Sequence, residues 1–458
     1  MILLDLKITM DAIKYQSILK EHFSIILCFF CYFLLAAIWV LPGTIGIRHW
    51  LLGIGLLSGL FYIWSKRSAL VIDRTFLPLI FIGALFLWVG IHYLFFSLDP
   101  VLELREIKGI WLRSFGGIVI AIVVGIAFQK FKKIRVLFLL SMVLVPLINL
   151  TVYVYQSILK DRILQPNEFV TQYLFNKIEA AFFGSVAVGI LLAYALTLLL
   201  KKTNLITATK LFSIYVSCLL IALSSVISSS KNGVAVSLGL IGLYCLCMVY
   251  LSIFRTGQRI KYFISALIFV LVFLFIKNLH QAKASPGWET LVADIKVSAQ
   301  IEKYQNWKNP SKFGYPLNEY SQPVAINTYE RAAWGVAGIY LVANKPFGYG
   351  SVNNSFKGML NHQKIEHNVP GQSHSGWIDF ALGFGVPGIL IIILAQLSII
   401  YLGLKSKTMF GVIGVWICIA LLPLGVIAEI SYKQYFEATL FFITFAATMV
   451  WNTQSDKA

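Results

Sequence analysis

The sequence predicts an all-α protein that crosses a membrane many times, and three observations lead there. Of the 458 residues, 58% are hydrophobic and only 13% charged, whereas a soluble domain carries roughly a quarter charged residues. The apolar surplus lies in long runs. Phe76 to Phe96 contains one histidine, His92, and no Asp, Glu, Lys or Arg, and Val234 to Phe254 contains no charge at all. Runs of about 18 or more such residues are long enough to span hydrocarbon as helices. Inside a bilayer only helices and closed barrels satisfy every backbone polar group, and these runs lack the polar alternation of barrel strands.

Taken in order, the runs give twelve spans, near residues 23–42, 46–64, 76–97, 109–129, 136–155, 180–200, 211–229, 233–254, 262–278, 377–404, 409–428 and 435–452. The first is not a cleavable signal, because no small-residue cleavage site follows it and further spans do. Cations punctuate the rest. With the N-terminal side taken as inside, the inside segments hold Lys7, Lys14 and Lys20, then Lys66, Arg67 and Arg74, then Lys130, Lys132, Lys133 and Arg135. They continue with Lys201, Lys202 and Lys210, then Arg255, Arg259 and Lys261, then Lys405 and Lys407, and last Lys457. The short outside loops hold Arg48, Arg105, Lys108, Lys160, Arg162, Lys177, Lys231 and Lys433, so the count is 19 inside against 8 outside. Cytoplasmic loops are the positive ones, which puts both termini in the cytoplasm. The net charge of +18 is therefore a topological signature. It points to anionic lipid or phosphate ligands and away from nucleic acid.

The chain divides into residues 1–278 with nine spans, an outside loop at 279–376, and residues 377–458 with three spans. The loop is polar and aromatic and holds four of the seven histidines: His280, His362, His367 and His374. Trp288, Trp307, Tyr315, Tyr329, Trp334 and Tyr340 argue that it is ordered. Tyr329 to Ala343 reads as a helix with Ala332, Val336, Ile339 and Tyr340 on one face. The six cysteines (Cys28, Cys31, Cys218, Cys245, Cys247 and Cys418) all fall within spans and behave as small apolar residues. Their spacing is no metal signature. Walker A and HExxH sequences are absent. Gly383-Phe384-Gly385-Val386-Pro387-Gly388 spells GxGxxG, but it opens a hydrophobic span instead of following a strand. It reads as close helix packing with a proline bend.

A few residues have the chemistry for a site. Arg331 follows Glu330 at the start of the loop helix. An arginine there is either solvated in a weak ion pair or a bidentate phosphate ligand. His374, in Ser373-His374-Ser375-Gly376-Trp377, stands where the loop re-enters the membrane. It is either a half-wet interfacial ring or a general base that titrates near neutral pH. Lys231, between two closely spaced spans, either snorkels or neutralises an anion. Arg113 lies within a span, where a cation is costly, and Arg105 and Lys108 extend the same cationic surface. Glu429 and Glu437 flank the last outside turn with Lys433, as cation-orienting groups or as caps. His362 and His367 lack a third ligand at convincing spacing, so neither a metal nor another cofactor is expected. Outside-facing cations beside a histidine suit a phosphorylated lipid substrate and displacement of a phosphate leaving group.

The chain resembles the O-antigen ligase and O-antigen polymerase superfamily of bacterial inner membranes. The resemblance is carried by Asn344-Lys345-Pro346-Phe347-Gly348-Tyr349-Gly350-Ser351, similar to an NP(L/F)xGxG pattern, and by His374 through Gly388 with its acidic-aromatic stretch and closing GxxG. Arg331 in the helix before is a further match. In architecture the likeness covers the whole chain; in motif it covers residues of about 225–390. It implies a GT-C-like, inverting, metal-independent transferase. The donor would be a glycan on undecaprenyl pyrophosphate, and the acceptor of a ligase a sugar of the lipid A core. It also implies roles for His374 and Arg331, and it places Lys231 where the family has a second arginine, a departure that puts bidentate phosphate binding there in doubt. Polymerases and protein O-oligosaccharyltransferases share the pattern. A rival class is a transporter or flippase of lipid-linked glycans or polysaccharide, but such proteins tend to show two related halves and none is visible. A scaffold protein without chemistry is the third reading.

The charge pattern makes a direct prediction. Reporter fusions at Lys66, Lys132, Lys202 and Arg259 should read as cytoplasmic and one near Asn354 as periplasmic. A cytoplasmic readout near Asn354 would reverse the orientation and leave the loop on the wrong side for a periplasmic acceptor.

Overall fold

The structure, a computed structural model, describes residues 22–39, 43–68, 70–166, 168, 177–200, 205–254, 259–283, 289–431 and 433–451. Lys7, Lys14, Lys20, Lys201, Lys202, Arg255, Trp288 and Lys457 lie outside them, as do the last residues of the first and twelfth expected spans. Among the described residues every regular element is helical, with one isolated bridge between Leu317 and Pro323. Before the loop come α1 (His22–Ile38), α2 (Ile45–Lys66), α3 (Leu77–Phe95), α4 (Pro100–Glu106), α5 (Leu112–Lys130), α6 (Lys132–Leu159), α7 (Lys177–Leu199), α8 (Leu205–Ile227), α9 (Lys231–Phe254) and α10 (Arg259–Lys283). The loop holds α11 (Leu291–Ser298), α12 (Pro310–Phe313), α13 (Ile326–Asn344) and α14 (Ser355–His362), and α15 (Gly376–Ser406), α16 (Met409–Ile427) and α17 (Lys433–Val450) follow.

Ten helical stretches among the described residues are long and apolar enough to cross a membrane, as a multi-pass membrane protein requires. The other two expected spans are helices as well. α1 is shorter, and α17 carries Lys433, Gln434 and Glu437 in its first turns. α17 tolerates these groups because it is buried continuously from Tyr435 to Val450; a helix enclosed by protein need not be apolar to lipid. It packs along α5 and α16. At the rim, α2 turns Trp50, Leu57 and Trp64, spaced by sevens, fully outward, which is the face expected to meet hydrocarbon.

Two expectations change. The fourth span, expected near 109–129, starts much earlier, at Pro100. Asp99 caps it by accepting the Leu102 N–H at 3.0 Å, and a π turn at Ile107–Trp111 joins α4 to α5. The loop helix spans Ile326–Asn344, but its buried face is Tyr329, Ala333, Trp334, Ala337, Gly338 and Leu341, while Ile339 and Tyr340 are exposed. That face combines large residues that enter the loop core with small ones where α13 packs closely on α15, and there Gly338 leaves room for Ile378. The loop has its own core, built from Trp307, Tyr329, Trp334, Phe356, Met359 and Leu382 of α15.

α15 is broken at Gly385, whose backbone is left-handed at φ +72°, two residues before Pro387. The break exposes backbone groups to the Lys345–Ser351 segment. Tyr349 donates its N–H to Leu382 O at 2.8 Å, Gly350 to Gly383 O at 2.7 Å, and Val386 donates to Pro346 O at 2.7 Å. Trp88 of α3 donates its indole N–H to Phe384 O at 2.8 Å. The glycine-rich run is thus a docking kink, as its sequence context suggested, and the two segments that carry the family resemblance lie against each other.

A substitution pair tests the kink. Gly385→Ala places a Cβ in a left-handed conformation, at a cost of roughly 1–2 kcal/mol, and against the Phe347 carbonyl. Gly90 in α3 has open space around a Cβ. Gly385→Ala should clearly lower the unfolding temperature in detergent, and Gly90→Ala should leave it unchanged or raise it; equal effects would mean that the kink is not a structural requirement.

Candidate functional site

His374 precedes α15 by two residues and adopts a left-handed backbone at φ +64°, uncommon for a residue other than glycine. The neighbouring turn enforces it. The Asp379 carboxylate accepts the Ser373 N–H at 2.6 Å, and the Gly376 N–H donates to Ala428 O at 2.9 Å. This backbone bond pins the turn to the segment between α16 and α17. The imidazole consequently meets Glu429, its Nδ1 hydrogen-bonded to Glu429 Oε1, and stacks on the Trp334 indole at 5.4 Å between centroids. The ring stays about a quarter exposed while the carboxylate is nearly enclosed. With Glu429 ionised, Nδ1 carries the proton and Nε2 is the basic nitrogen. Burial alone acts to raise the Glu429 pKa, but the His374 hydrogen bond and the charges of His374, Arg331 and Lys433 outweigh it and hold the carboxyl below its ordinary range.

Arg331 lies beside this pair. It donates from Nη1 to Ile427 O, the last residue of α16, at 3.3 Å. Burial pulls its guanidinium below the usual pKa, opposed by Glu429 and Glu330, yet an arginine remains charged. Asn232 donates to the same Ile427 carbonyl, which brings the start of α9 to this point. Lys231, the first residue of α9, stands there too. The carbonyl end of α16 is thus where three distant stretches of the chain converge.

Next to this cluster is a cavity of about 260 Å³ lined by Arg48, His49, Arg113, Lys433, Asn353 and Glu437, with Ile45 and Ile110 beside them. Arg113 donates from Nε to Glu437 Oε1 at 2.5 Å, and Glu437 is almost wholly buried. Lys433 links the two places, since it lines the cavity and its charge also acts on Glu429. Asn353 links them a second time: Gln372, two residues before His374, donates to Asn353 O at 2.7 Å.

Asn353 is held by a buried carboxylate. Glu106 accepts from Ser351 Oγ at 2.5 Å, from Val352 N–H at 3.2 Å and from Asn353 N–H at 3.3 Å. One turn earlier Glu103 meets His92 Nδ1 at 2.9 Å, and the other ring nitrogen of His92 donates to Phe347 O at 2.8 Å. These groups hold the Phe347–Asn353 segment onto α3 and α4.

The structure therefore gathers His374, Glu429 and Arg331 in one cluster and places Arg113 and Glu437 on the cavity wall. Arg105 of α4 and Lys108 of the π turn are exposed and do not line it; the opposite face of α4 turns Glu103 and Glu106 inward. His362 is exposed at the end of α14, and His367 bonds Asn361 Oδ1 at 3.0 Å. Among the described residues no three His, Cys, Asp or Glu side chains come together as a ligand set. Arg48, His49 and Glu106 were not singled out by sequence. Arg48 counted only as a topological cation, and a carboxylate next to Arg105 carried no sign that it would be buried.

The depressed Glu429 pKa fixes the sign of a pH effect. The native protein binds fewer protons here than the unfolded chain, so this contribution to stability is complete above the ordinary value of about 4.3 and is lost as the pH falls through the lower folded value. Wild-type protein in detergent should lose thermal stability in that acid window, and Glu429→Gln should lack that part of the dependence. Identical profiles for both proteins would show that Glu429 is not engaged in this way. No protein-family model matches the chain, and no curated protein matches it.

Proposed function

We propose that the chain is a membrane glycosyltransferase of O-antigen ligase type. It transfers a glycan from undecaprenyl pyrophosphate to a sugar hydroxyl of the lipid A core, with inversion, at the periplasmic face of a bacterial inner membrane. The single observation that carries this reading is the His374–Glu429 pair beside Arg331, where a base with an orienting carboxylate adjoins a buried cation. The likeness of residues 344–351 and 374–388 to the ligase and polymerase superfamily supports it, and so does the charge pattern, which favours an outside position for this end of the bundle.

In this reading His374, Glu429 and Arg331 divide the chemistry between them. A sugar hydroxyl is a poor nucleophile unless its proton leaves as the new bond forms, and the basic Nε2 of His374 accepts that proton. The hydroxyl oxygen attacks the anomeric carbon from the face opposite the pyrophosphate. The bond from that carbon to the phosphate oxygen breaks, and its electron pair leaves on undecaprenyl pyrophosphate. Glu429 holds the ring in the right tautomer and stabilises the imidazolium that forms. Arg331 stabilises the negative charge that grows on the leaving phosphate.

A purified transfer assay tests these roles. His374→Gln keeps part of the hydrogen-bonding reach but accepts no proton at neutral pH, so the rate should fall by about 10²–10⁴-fold. Arg331→Ala should lose roughly 30- to 1000-fold, and Arg331→Lys should recover little because a point charge lacks the guanidinium fork. His362→Ala and His367→Ala should stay near wild type. If His374→Gln keeps more than about a tenth of the rate, the ring only positions the acceptor. In a deletion strain, core lipopolysaccharide without long chains identifies a ligase, while core plus one repeat unit identifies a polymerase.

A further inference from the structure

The second half of α13 is apolar on both sides, although it belongs to the polar loop. Ala332 to Ala343 contains no Asp, Glu, Lys or Arg. An apolar run of about 10–14 residues is too short to span a bilayer and occurs in core helices or in segments that enter a membrane part-way. One face of this run is accounted for, since Ala333, Trp334, Ala337, Gly338 and Leu341 are buried. On the opposite face Ile339 and Tyr340 are each more than half exposed, and Ala343 shares that face and is exposed too. α14 of the same loop behaves differently: the residues it exposes are Lys357, Asn361 and His362.

The turn after α13 lies alongside α3 and not beyond its end. α3 is long and apolar enough to span, and its Ile80, Leu87, Ile91, Leu94 and Phe95 are exposed; in a spanning helix such a side meets hydrocarbon. Phe347 O accepts from His92, three residues before the end of α3, at 2.8 Å. The Phe347 ring stacks on Phe96 at 4.3 Å and faces Trp88 at 6.4 Å. Trp88 stands seven residues before Phe95, about 10 Å back along the helix. The backbone of the turn is equipped for such a place, where water cannot serve it. The N–H groups of Lys345, Gly348, Tyr349 and Gly350 donate to Leu341, Lys345, Leu382 and Gly383. The carbonyls of Pro346, Phe347 and Tyr349 accept from Val386, His92 and Leu98. The outer side of the turn nevertheless stays open, with Lys345, Pro346 and Phe347 exposed.

We infer that Ile339 to Phe347 is a re-entrant element, inserted into the bilayer at the loop end of the bundle, and that the partner of its open face is lipid. Ile339 and Phe347 meet acyl chains there, continuing the exposed side of α3. Tyr340 has the apolar body and polar tip of an interfacial residue, and Lys345 has the length to keep its ammonium among the head groups. The inference rests on α3 and α15 crossing the membrane and is independent of the transferase reading. It has a consequence for the candidate site. Arg331 is carried by the same helix, thirteen residues or about 20 Å along the axis from Asn344, so the insertion sets the height of Arg331 relative to the bilayer.

Spin labels on the full chain in lipid nanodiscs test the insertion. Single cysteines are introduced as Ile339→Cys, Tyr340→Cys and Phe347→Cys. Leu94→Cys on α3 serves as the lipid reference, Tyr320→Cys on the exposed loop surface as the water reference, and the protein without an added cysteine as the background. Each label is exposed in turn to oxygen, which concentrates in lipid, and to a nickel chelate, which stays in water. The labels at 339, 340 and 347 should be relaxed more by oxygen than by the chelate, as at 94, and the label at 320 should show the reverse. Phe347 packs on Phe96, so if Phe347→Cys fails to fold, the two positions on the open face of α13 still decide the question. Labels at 339 and 340 that follow the water reference overturn the inference. Labels shielded from both reagents overturn it as well, because the face would then be covered by protein, from a second copy or another chain. A protein that folds, gives the lipid pattern and transfers no glycan leaves the inference standing while the transferase reading fails.

Discussion

The carboxylate of Glu106 accepts three hydrogen bonds from Ser351, Val352 and Asn353, and the geometry of the loop end of the bundle hangs on that contact. A buried carboxylate is costly unless its oxygens are satisfied, and here the donors come from a loop that has no ladder of its own. The exchange fixes both partners. α4 gains a reason to bury its acids, and the loop segment gains a fixed place against the kink at Gly385. There the broken helix offers carbonyls to Tyr349 and Gly350 and takes one from Pro346. Irregular backbone in a membrane protein is tolerated only where protein satisfies it, and at this kink the carbonyls of Leu382, Gly383 and Phe384 and the N–H of Val386 have such partners.

From this anchor the site is assembled by short connections. Asn353 enters the cavity wall and is tied through Gln372 to the turn that carries His374. The same turn is bonded to Ala428, which sets Glu429 against the imidazole. The cations around it are not interchangeable. Arg331 is drawn into the protein and supported by the last carbonyl of α16 and by Glu429, whereas Lys433 stays exposed on the border between cluster and cavity. Burial strengthens what a charge can do to a reacting group, because the effective dielectric falls. It also demands a compensating partner, and Glu429 and Glu437 supply one on each side.

The sequence made much of this legible, and the limits have physical causes. The spans were readable because a bilayer imposes length and composition on every segment that crosses it, and their edges shifted mainly where a cap such as Asp99 or a π turn extended a helix. Order in the loop was readable from its aromatic residues, but the face that α13 buries was not. The packing of α13 on α15 and on the loop core selected the face of Tyr329, Ala333, Trp334, Ala337 and Leu341 over the one that carries Ile339 and Tyr340. His374, Arg331 and Arg113 were recognisable because a titrating ring at a membrane boundary or a cation inside a span needs a reason. Arg105 and Lys108 had the same charge beside the same span, yet helix phase turned them outward and Glu106 inward.

By itself, then, the sequence determined the helical class, the succession of apolar helices and the set of residue types from which a site would be made. These follow from local composition and from what hydrocarbon permits. Which residues meet was decided only by the tertiary structure. Arg113 pairs with Glu437, 324 residues away, His374 with Glu429, 55 away, and Ser351 with Glu106, 245 away. No local pattern encodes such pairings, because each depends on where packing places two distant segments and on the need of every buried polar or charged group for a hydrogen-bonding partner.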